Sequence, residues 1–554
     1  MHYLTKFKHI FQSTALKSVY RWSESVHNSL VILCLLNVLT SLTSLGLTVT
    51  TKYLIDGAIS SEPDALRKYG TILVMLVLAE AVIYLASSLI YTRASAKLQH
   101  SMQGMLIREL VVKDYSGIKG YHSGELVNRL FSDVAIVKNG IMDILPDLVS
   151  TAVSFLGAVV ILTMMDWRFV ILLVAGGILG AALILLFKQP MKKRHKRMQE
   201  AEGALHASAQ EILANLRLIK ASVSEERAVE QMDLRQKGLE REQIRRGDFS
   251  TGMNNGISLV FDISWLFCMI WGCISISSGR LTYGSLAAII QLIGRIQGPI
   301  ADIVGIAGQT YGLVSSAERI QELTGLPREE EGTILHDFDE IRIEDISFQY
   351  DDGVEDVLQD VNCTIRKGDF AALTGISGGG KSSLFQLLLG IYQPTSGRVL
   401  FVRGEQEIPA CRGTRELFAY VPQGNTLLSG SLMDNLTMFA KKASEQEIDA
   451  ACKAACIDDL VREIGYDAVL GERGEGISEG QAQRICIARA LLSGAPILLF
   501  DEATSALDED TEARLLYNIS AMRDKTCIIV THRMAALDIC DYRLHLEGRH
   551  LYKK

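Results

Sequence analysis

Six apolar stretches, each close to the roughly 20 residues that a helix needs to cross a bilayer, set the strongest limit on what this chain can fold into. They cover residues 30–49, 72–91, 145–164, 169–187, 257–276 and 286–307. The connections after the first, third and fifth are short, whereas those after the second and fourth are long, polar and helix-like. Lys188, Lys192, Lys193, Arg194, Lys196 and Arg197 crowd the end of the fourth stretch, and the positive-inside rule puts that end in the cytosol. Both termini and both long connections then lie on the cytosolic side, the connections as helical extensions whose charged faces water can hydrate. Buried helices of a large soluble protein give similar runs, but six at full membrane length with this charge asymmetry fit a membrane bundle better.

Composition supports that reading. A hydrophobic share of 48% and a mean hydropathy of +0.19 are high for a soluble protein of 554 residues. The net charge of -8 gives no basic footprint for nucleic acid. The ten cysteines are scattered without metal spacing or a disulfide framework, as in a reducing compartment. Cys452 and Cys456, one helical turn apart, read as small buried apolar side chains. Ahead of the first stretch, Lys6, Lys8, Lys17 and Arg21 alternate with apolar residues, and Glu24 is the first acid. That pattern fits a basic interfacial helix, with a mitochondrial transit peptide as the other reading.

After the sixth stretch the texture changes. Residues 308–335 form a polar bridge with Pro327 and the acidic run Glu329, Glu330, Glu331. From residue 341 short β-branched strands alternate with helical segments, as in an α/β nucleotide-binding domain. The expected division is a membrane domain over 1–325, a linker over 326–340 and an α/β domain over 341–554.

The second domain carries a phosphate-cradling loop. Gly375, Ile376, Ser377, Gly378, Gly379, Gly380, Lys381 and Ser382 fit Gly-x-x-x-x-Gly-Lys-Ser/Thr, in which backbone N–H groups surround phosphates, the lysine reaches the β and γ phosphates, and the serine hydroxyl meets Mg²⁺. A strand-like run over 370–374 precedes it, and an apolar helical run beginning at Ser383 follows. About 120 residues later, the run Ile497-Leu498-Leu499-Phe500 leads into Asp501 and Glu502. An aliphatic strand brings such an acidic pair to the C-terminal edge of an open sheet, where ligands bind. Asp501 is expected in the Mg²⁺ shell, and Glu502 is expected to orient or deprotonate an attacking water.

With these motifs in place the chain resembles the ATP-binding-cassette exporters that carry a fused membrane domain. Ile477-Ser478-Glu479-Gly480-Gln481 is similar to that family's signature sequence, with Ile477 and Glu479 departing from it. The resemblance assigns Ser478 and Gly480, with Gln481, to the phosphate of a second cassette. Glu479 puts a negative charge near that phosphate, an expected source of repulsion unless its side chain points away, so a working but slower site is expected. Gln423 resembles the glutamine that links Mg²⁺ and water to the membrane domain, and Ser505-Ala506-Leu507-Asp508 resembles the loop that crosses between cassettes. His532 resembles the histidine at the γ phosphate, and Tyr350 the aromatic that stacks on adenine.

Other segments resemble the parts of exporters that couple the two domains. These are Ser123 to Leu130 with Asp133, and Glu211 to Leu213 with Ile219 to Ala221; Gly471-Glu472-Arg473-Gly474 resembles a loop that distinguishes exporters from importers. Inside the apolar stretches, Glu80, Asp262 and Arg295 are charges that lipid penalises. They are expected either to line a cavity or to pair with one another.

The expectation is thus a six-helix all-α membrane domain with long cytoplasmic extensions, followed by an α/β P-loop ATPase. The resemblance implies ATP and Mg²⁺ as cofactors and a homodimer with two composite ATP sites. It also implies contact with membrane lipids and a location in a bacterial plasma membrane. Export of a small antimicrobial-type peptide is the expected activity, since no peptidase domain precedes the first stretch and mixed charges lie within the stretches. Lipid or amphipathic drug export and a non-transporting ATP-gated sensor are the alternatives.

Overall fold

The computed structural model describes residues 14–554 apart from positions 351, 352, 354, 425, 441, 472, 473, 475 and 523; at 14, 172, 173, 178, 181, 184, 185, 297–305, 307 and 535 it describes the backbone alone. Lys6 and Lys8 of the basic leader, and Glu472 and Arg473 of the exporter-type loop, therefore lie outside the described residues. The chain divides into two compact units. The first takes in residues up to Arg108 and Ser123–Gly325, the second Glu109–His122 and Leu326–Lys554.

The described part of the first unit is helical. Helix α1 is Thr14–Trp22, α2 His27–Ile59, α3 Pro63–Val111, and the short α4, Tyr115–Lys119, follows it in the chain. Then come α5 (Ser123–Asn128), α6 (Val134–Ala214), α7 (Leu216–Ala221), α8 (Glu225–Ser277) and α9 (Tyr283–Gly325). At 1.5 Å per residue, α3 and α8, with 49 and 53 residues, are roughly 75–80 Å long, far beyond a hydrocarbon core of about 30 Å. Their polar halves are the extensions expected between the second and third and between the fourth and fifth stretches. Among the described residues, four helical segments are long and apolar enough to cross a membrane: Ala15–Ile59, Pro63–Val111, Ser123–Ile171 and Glu225–Ser277; Tyr283–Ile296 is a shorter apolar helix.

The third and fourth apolar stretches lie on α6, which is interrupted at Asp166 (φ -162°, ψ 111°). There the carboxylate accepts the N–H of Arg168 at 3.0 Å, starting the second arm. Val74, Met75, Leu78, Val82 and Leu85 of α3 are exposed, an arrangement that water would penalise and lipid does not. Inside, Leu45, Leu162, Phe169, Cys268, Ile289 and Leu292 form one cluster. A Cβ on Gly157 would come within 2.3 Å of Leu45 Cδ1, so a hydrogen there is what lets α2 and α6 touch.

The sequence around Arg129 folds into a π-helical turn, Arg129–Asp133. Asp133 is 1% exposed and accepts from Ser316 Oγ at 2.9 Å and Arg319 Nε at 2.8 Å. Arg129 donates to Glu322 at 2.9 Å and to Glu125 at 2.6 Å. These bonds tie the turn to the polar end of α9.

In the second unit two sheets share the work. Strands β1 (Glu340–Phe348), β2 (Leu358–Arg366), β4 (Ser396–Arg403) and β5 (Gln406–Pro409) form an antiparallel sheet in the order β2-β1-β4-β5. The larger sheet contains β3 (Phe370–Gly375), β6 (Phe418–Val421), β9 (Ile497–Asp501), β10 (Thr526–Val530), β11 (Tyr542–Glu547) and β12 (His550–Lys553). Its order is β12-β11-β3-β10-β9-β6, parallel except for the β11–β12 hairpin. The remaining pair, β7 (Gly430–Ser431) and β8 (Val469–Leu470), is a two-strand ribbon.

Helix α10 is Lys381–Leu388; α11 (Leu432–Thr437), α12 (Glu445–Ala454) and α13 (Asp458–Ile464) precede α14 (Glu479–Leu492), and α15 (Glu509–Ser520) and α16 (Met534–Leu537) complete the set. Strand β9 is buried throughout. Because side chains alternate along a strand, Leu498 and Phe500 enter one core with Ile485, Leu515 and Leu516, and Ile497 and Leu499 enter the other with Phe385 and Phe401. Covering both faces is what a parallel sheet requires.

Candidate functional site

Four of the parallel strands deliver the expected site residues to one edge of the sheet. The phosphate loop leaves the end of β3, and Asp501 and Glu502 stand at the end of β9. Gln423 lies two residues beyond β6, and His532 two residues beyond β10. The register pairs β9 directly with β10 and β6, and β10 with β3. Parallel pairing therefore converts four distant segments into neighbours.

The loop is built by glycines at positive φ: 151° at Gly375, 77° at Gly378 and 96° at Gly380. A Cβ on Gly375 would meet Leu546 O at 2.5 Å. Gly380 caps α10, leaving the N–H groups of that helix start directed at the loop, an arrangement that favours an anion. Lys381 is 5% exposed and donates to the carbonyls of Gly375 at 2.8 Å and Ile376 at 2.9 Å. The lysine is thus curled inside the cradle that its own loop makes. Tyr350 reaches the same helix start, its hydroxyl 2.9 Å from Ser383 Oγ and 3.4 Å from Gln386 Oε1.

Asp501 is 4% exposed. Burial raises its pKa above the ordinary aspartate value, offset in part by a hydrogen bond from Ser382. Tyr420 also donates to it at 3.4 Å, and burial beside that carboxylate raises the phenol in turn. Glu502 has φ 51°, and its carboxylate accepts from Gln423 Nε2 at 2.8 Å. Ser382, Gln423 and Asp501 offer a hydroxyl, an amide and a buried carboxylate, a hard oxygen set suited to Mg²⁺ that also keeps water or phosphate ligands. Among the described residues no group of three or more His, Cys, Asp or Glu is placed to hold a metal ion. His532 opens onto a cavity of about 520 Å³ shared with Gly375 and Ile376.

Ser478, Gly480 and Gln481 sit at the start of α14, where their hydrogen bonds among the described residues are local. Ser478 is the N-cap: its hydroxyl accepts from Gln481 N at 3.2 Å, and its N–H donates to Gln481 Oε1 at 2.8 Å. Glu479 is exposed in the first turn, where the helix dipole favours an acid. A Cβ on Gly480 would come within 2.8 Å of Ala506 O. The loop 505–508 therefore packs directly against the signature segment, and Asp508 caps α15 by accepting from Thr511 N at 2.9 Å.

A network that the motifs did not reveal holds these parts together. Gln483 of α14 donates to Ser505 Oγ at 3.2 Å and accepts from Ala506 N at 3.1 Å. Arg533, next to His532, donates to Ser505 O at 2.9 Å, Leu507 O at 2.7 Å and Glu512 Oε2 at 2.8 Å. Glu512 also accepts from Thr504 Oγ1 at 2.6 Å. One signal was present in the sequence: Glu512 shares the helical face of Leu515, Leu516 and Ile519, a place for an acid only if it is paired.

Within the first unit, Arg295 donates to Ser44. Among the described residues no ion pair joins Arg295 to Glu80 or Asp262.

A helical membrane unit fused to a P-loop ATPase unit with a signature helix defines an ATP-driven membrane transporter. Comparison with known proteins gives the family. Residues 30–300 match the ABC transporter transmembrane region, and residues 358–505 match the ABC transporter ATP domain. The chain is 27% identical over 524 residues to the ATP-dependent lipid A-core flippase of Pseudomonas aeruginosa, covering 90% of this chain and 85% of that protein. It is 28% identical over 477 residues to a lactococcin transport/processing ATP-binding protein of Lactococcus lactis, covering 84% and 66%. Its fold matches the structure of a bacterial Atm1-family ABC exporter with ATP bound at TM-score 0.80 and 22% identity, covering 95% of each chain. The chain belongs to the ATP-binding-cassette exporters, in the half-transporter arrangement of one membrane region and one ATPase domain. It is an ATPase coupled to transport.

Proposed function

We propose that this half-transporter works as a homodimer that exports a small peptide by alternating access, with two ATP sites each walled by both chains. In each site Lys381 and the N–H groups of Gly378, Gly379 and Gly380 hold the phosphates, with Ser377 and Ser383 beside them. Tyr350 stacks on the adenine. Ser382, Gln423 and Asp501 would hold Mg²⁺, which supplies charge neutralisation at the transferred phosphoryl group. Glu502 takes the proton of the attacking water, and His532 contacts the γ phosphate. Ser478, Gly480 and Gln481 supply the opposite wall from the second chain, since they stand at the N-terminal end of a helix, whose dipole favours an anion.

The observation that carries the cargo reading is the set of charges in the apolar stretches. Among the described residues Glu80, Asp262 and Arg295 form no ion pair with one another, and charges at membrane depth face the bundle interior or a water-filled cavity. A cavity with both signs of charge suits a zwitterionic peptide. The lactococcin transporter among the relatives supports this cargo; the lipid A-core flippase supports a lipid as the second reading.

The test is uptake into inverted vesicles or proteoliposomes of a labelled zwitterionic peptide and, in parallel, flipping of a labelled lipid. Glu502→Gln serves as the control that binds ATP while turnover falls about 10²- to 10⁴-fold, the contribution of a general base. Peptide uptake that requires ATP and vanishes in the control supports the proposal. ATP-dependent lipid flipping without peptide uptake replaces it with the second reading.

A further inference from the structure

The adenine side of the site contains a residue that no motif marks. Segment Glu109–His122 belongs to the second unit, and within it Lys119, at the end of α4, places its ammonium 4.1 Å from the centroid of the Tyr350 ring and 5.5 Å from that of Tyr392. The Tyr350 ring is anchored by its hydroxyl on Ser383. Phe348 and Tyr392 crowd it at near right angles, with centroids at 4.8 and 5.3 Å. The ammonium covers one face of the Tyr350 ring, and a face cannot carry a cation and a purine together.

We propose that Lys119 is an adenine-displaced gate: it covers the stacking face of Tyr350, and a purine binding there moves it aside. The proposal rests on Tyr350 being the adenine-stacking residue. The rest of the segment has separate anchors. Lys113 Nζ donates to Leu326 O at 2.7 Å, Asp114 N donates to Pro327 O at 3.0 Å, and Glu109 pairs with Arg328. Displacing Lys119 thus removes one contact of the segment's tip, leaving the Tyr115–Tyr392 edge contact at 6.0 Å, while the base stays fixed. Lys119 is exposed, so its substitution does not threaten folding.

The experiment is titration of the full chain in lipid nanodiscs, on a Glu502→Gln background so that ATP is not consumed, with MgATP and with Mg²⁺-tripolyphosphate, which lacks a base. Lys119→Gln is expected to tighten MgATP binding about two- to fivefold, the range of an exposed cation–π contact, and to leave tripolyphosphate affinity unchanged. Lys119→Arg, which keeps a cation over the ring, should behave as the parent. Hydrogen exchange over residues 115–119 should rise on MgATP addition in the parent and be already raised in Lys119→Gln. Unchanged or weakened MgATP binding in Lys119→Gln overturns the gate, as does equal tightening toward tripolyphosphate. Tyr350→Leu separates the two levels. If it weakens MgATP but not tripolyphosphate, adenine stacking stands whatever Lys119 does. If it weakens neither, the stacking assignment fails, and the gate with it.

Discussion

Glu512 offers the sharpest test of how the ATPase unit is held together. It is 0% exposed, lies on the apolar face of α15, and accepts one hydrogen bond from Thr504 Oγ1 at 2.6 Å and one from Arg533 Nη1 at 2.8 Å. Hydrogen bonds to a charged group contribute roughly 1.5–3 kcal/mol each. The Arg533 side chain is 36% exposed, so water takes over part of that half when the carboxylate is lost. Thr504, at 2% exposure, has no such recourse. Glu512→Ala should therefore cost about 2–4 kcal/mol, or about 5–15 °C in melting temperature for a domain of this size. Glu512→Gln keeps the volume and an acceptor for Thr504, and should cost about half as much. The assay is thermal unfolding of the full chain in detergent, following the transition that MgATP shifts upward, since a ligand stabilises the unit that binds it. An alanine variant that melts within about 2 °C of the parent would refute the reasoning. So would a glutamine variant as unstable as the alanine one.

Two further outcomes follow from the same site. Burial holds the Asp501 pKa above its usual value of 3.8, so the folded unit prefers the neutral carboxyl; that preference favours folding below the unfolded pKa and is lost as pH rises through the folded one. Asp501→Asn should accordingly raise the melting temperature at pH 7, with the gain shrinking as pH falls toward 4. It should also cut Mg²⁺-dependent turnover by about a hundredfold or more, the several kcal/mol that a bound cation supplies; a lower melting temperature at pH 7 would count against burial as the cause. Ser478→Arg should disable only the site that the mutant chain completes in its partner. Tagged mixed dimers are expected to keep about half of the ATPase activity if the two sites fire independently, or none if they are coupled, and full activity would contradict the shared site.

Local chemistry in the sequence made the phosphate loop, Asp501 and Glu502 readable, because each needs a particular residue type at fixed spacing next to a strand. The interruption between the third and fourth apolar stretches was also marked, by the short gap at residues 165–168. Long-range partners were less legible. Gln483 meets Ser505 and Arg533 meets Glu512 only because α14, α15 and the end of β10 converge, and no local pattern encodes that convergence. Lys119 and Tyr350 are separated by 231 positions in sequence but lie 4.1 Å apart, ammonium to ring centroid. Glu479 stands at the first turn of α14, where the helix dipole favours an acid, and Ser478 and Gln481 form the reciprocal cap that their spacing allows.

The acidic pair shows why a strained residue belongs at the centre of such a site. Along a regular strand, Asp501 and Glu502 would point to opposite faces of the sheet, one toward each core, and only one could serve the edge. The chain instead leaves the strand at Glu502 with φ 51°, a left-handed conformation that costs a non-glycine residue about 1–2 kcal/mol. That turn keeps Asp501 buried beside Ser382 and brings the Glu502 carboxylate to the Gln423 amide beyond the neighbouring strand β6. Two like charges that are adjacent in sequence thereby enter different environments, one desolvated and the other hydrogen-bonded at the rim. Separating two carboxylates in this way is how a pair of acids acquires two roles. Glycine at position 502 would remove the strain and the carboxylate that meets Gln423 together, so the strain persists where the site keeps both the turn and the side chain.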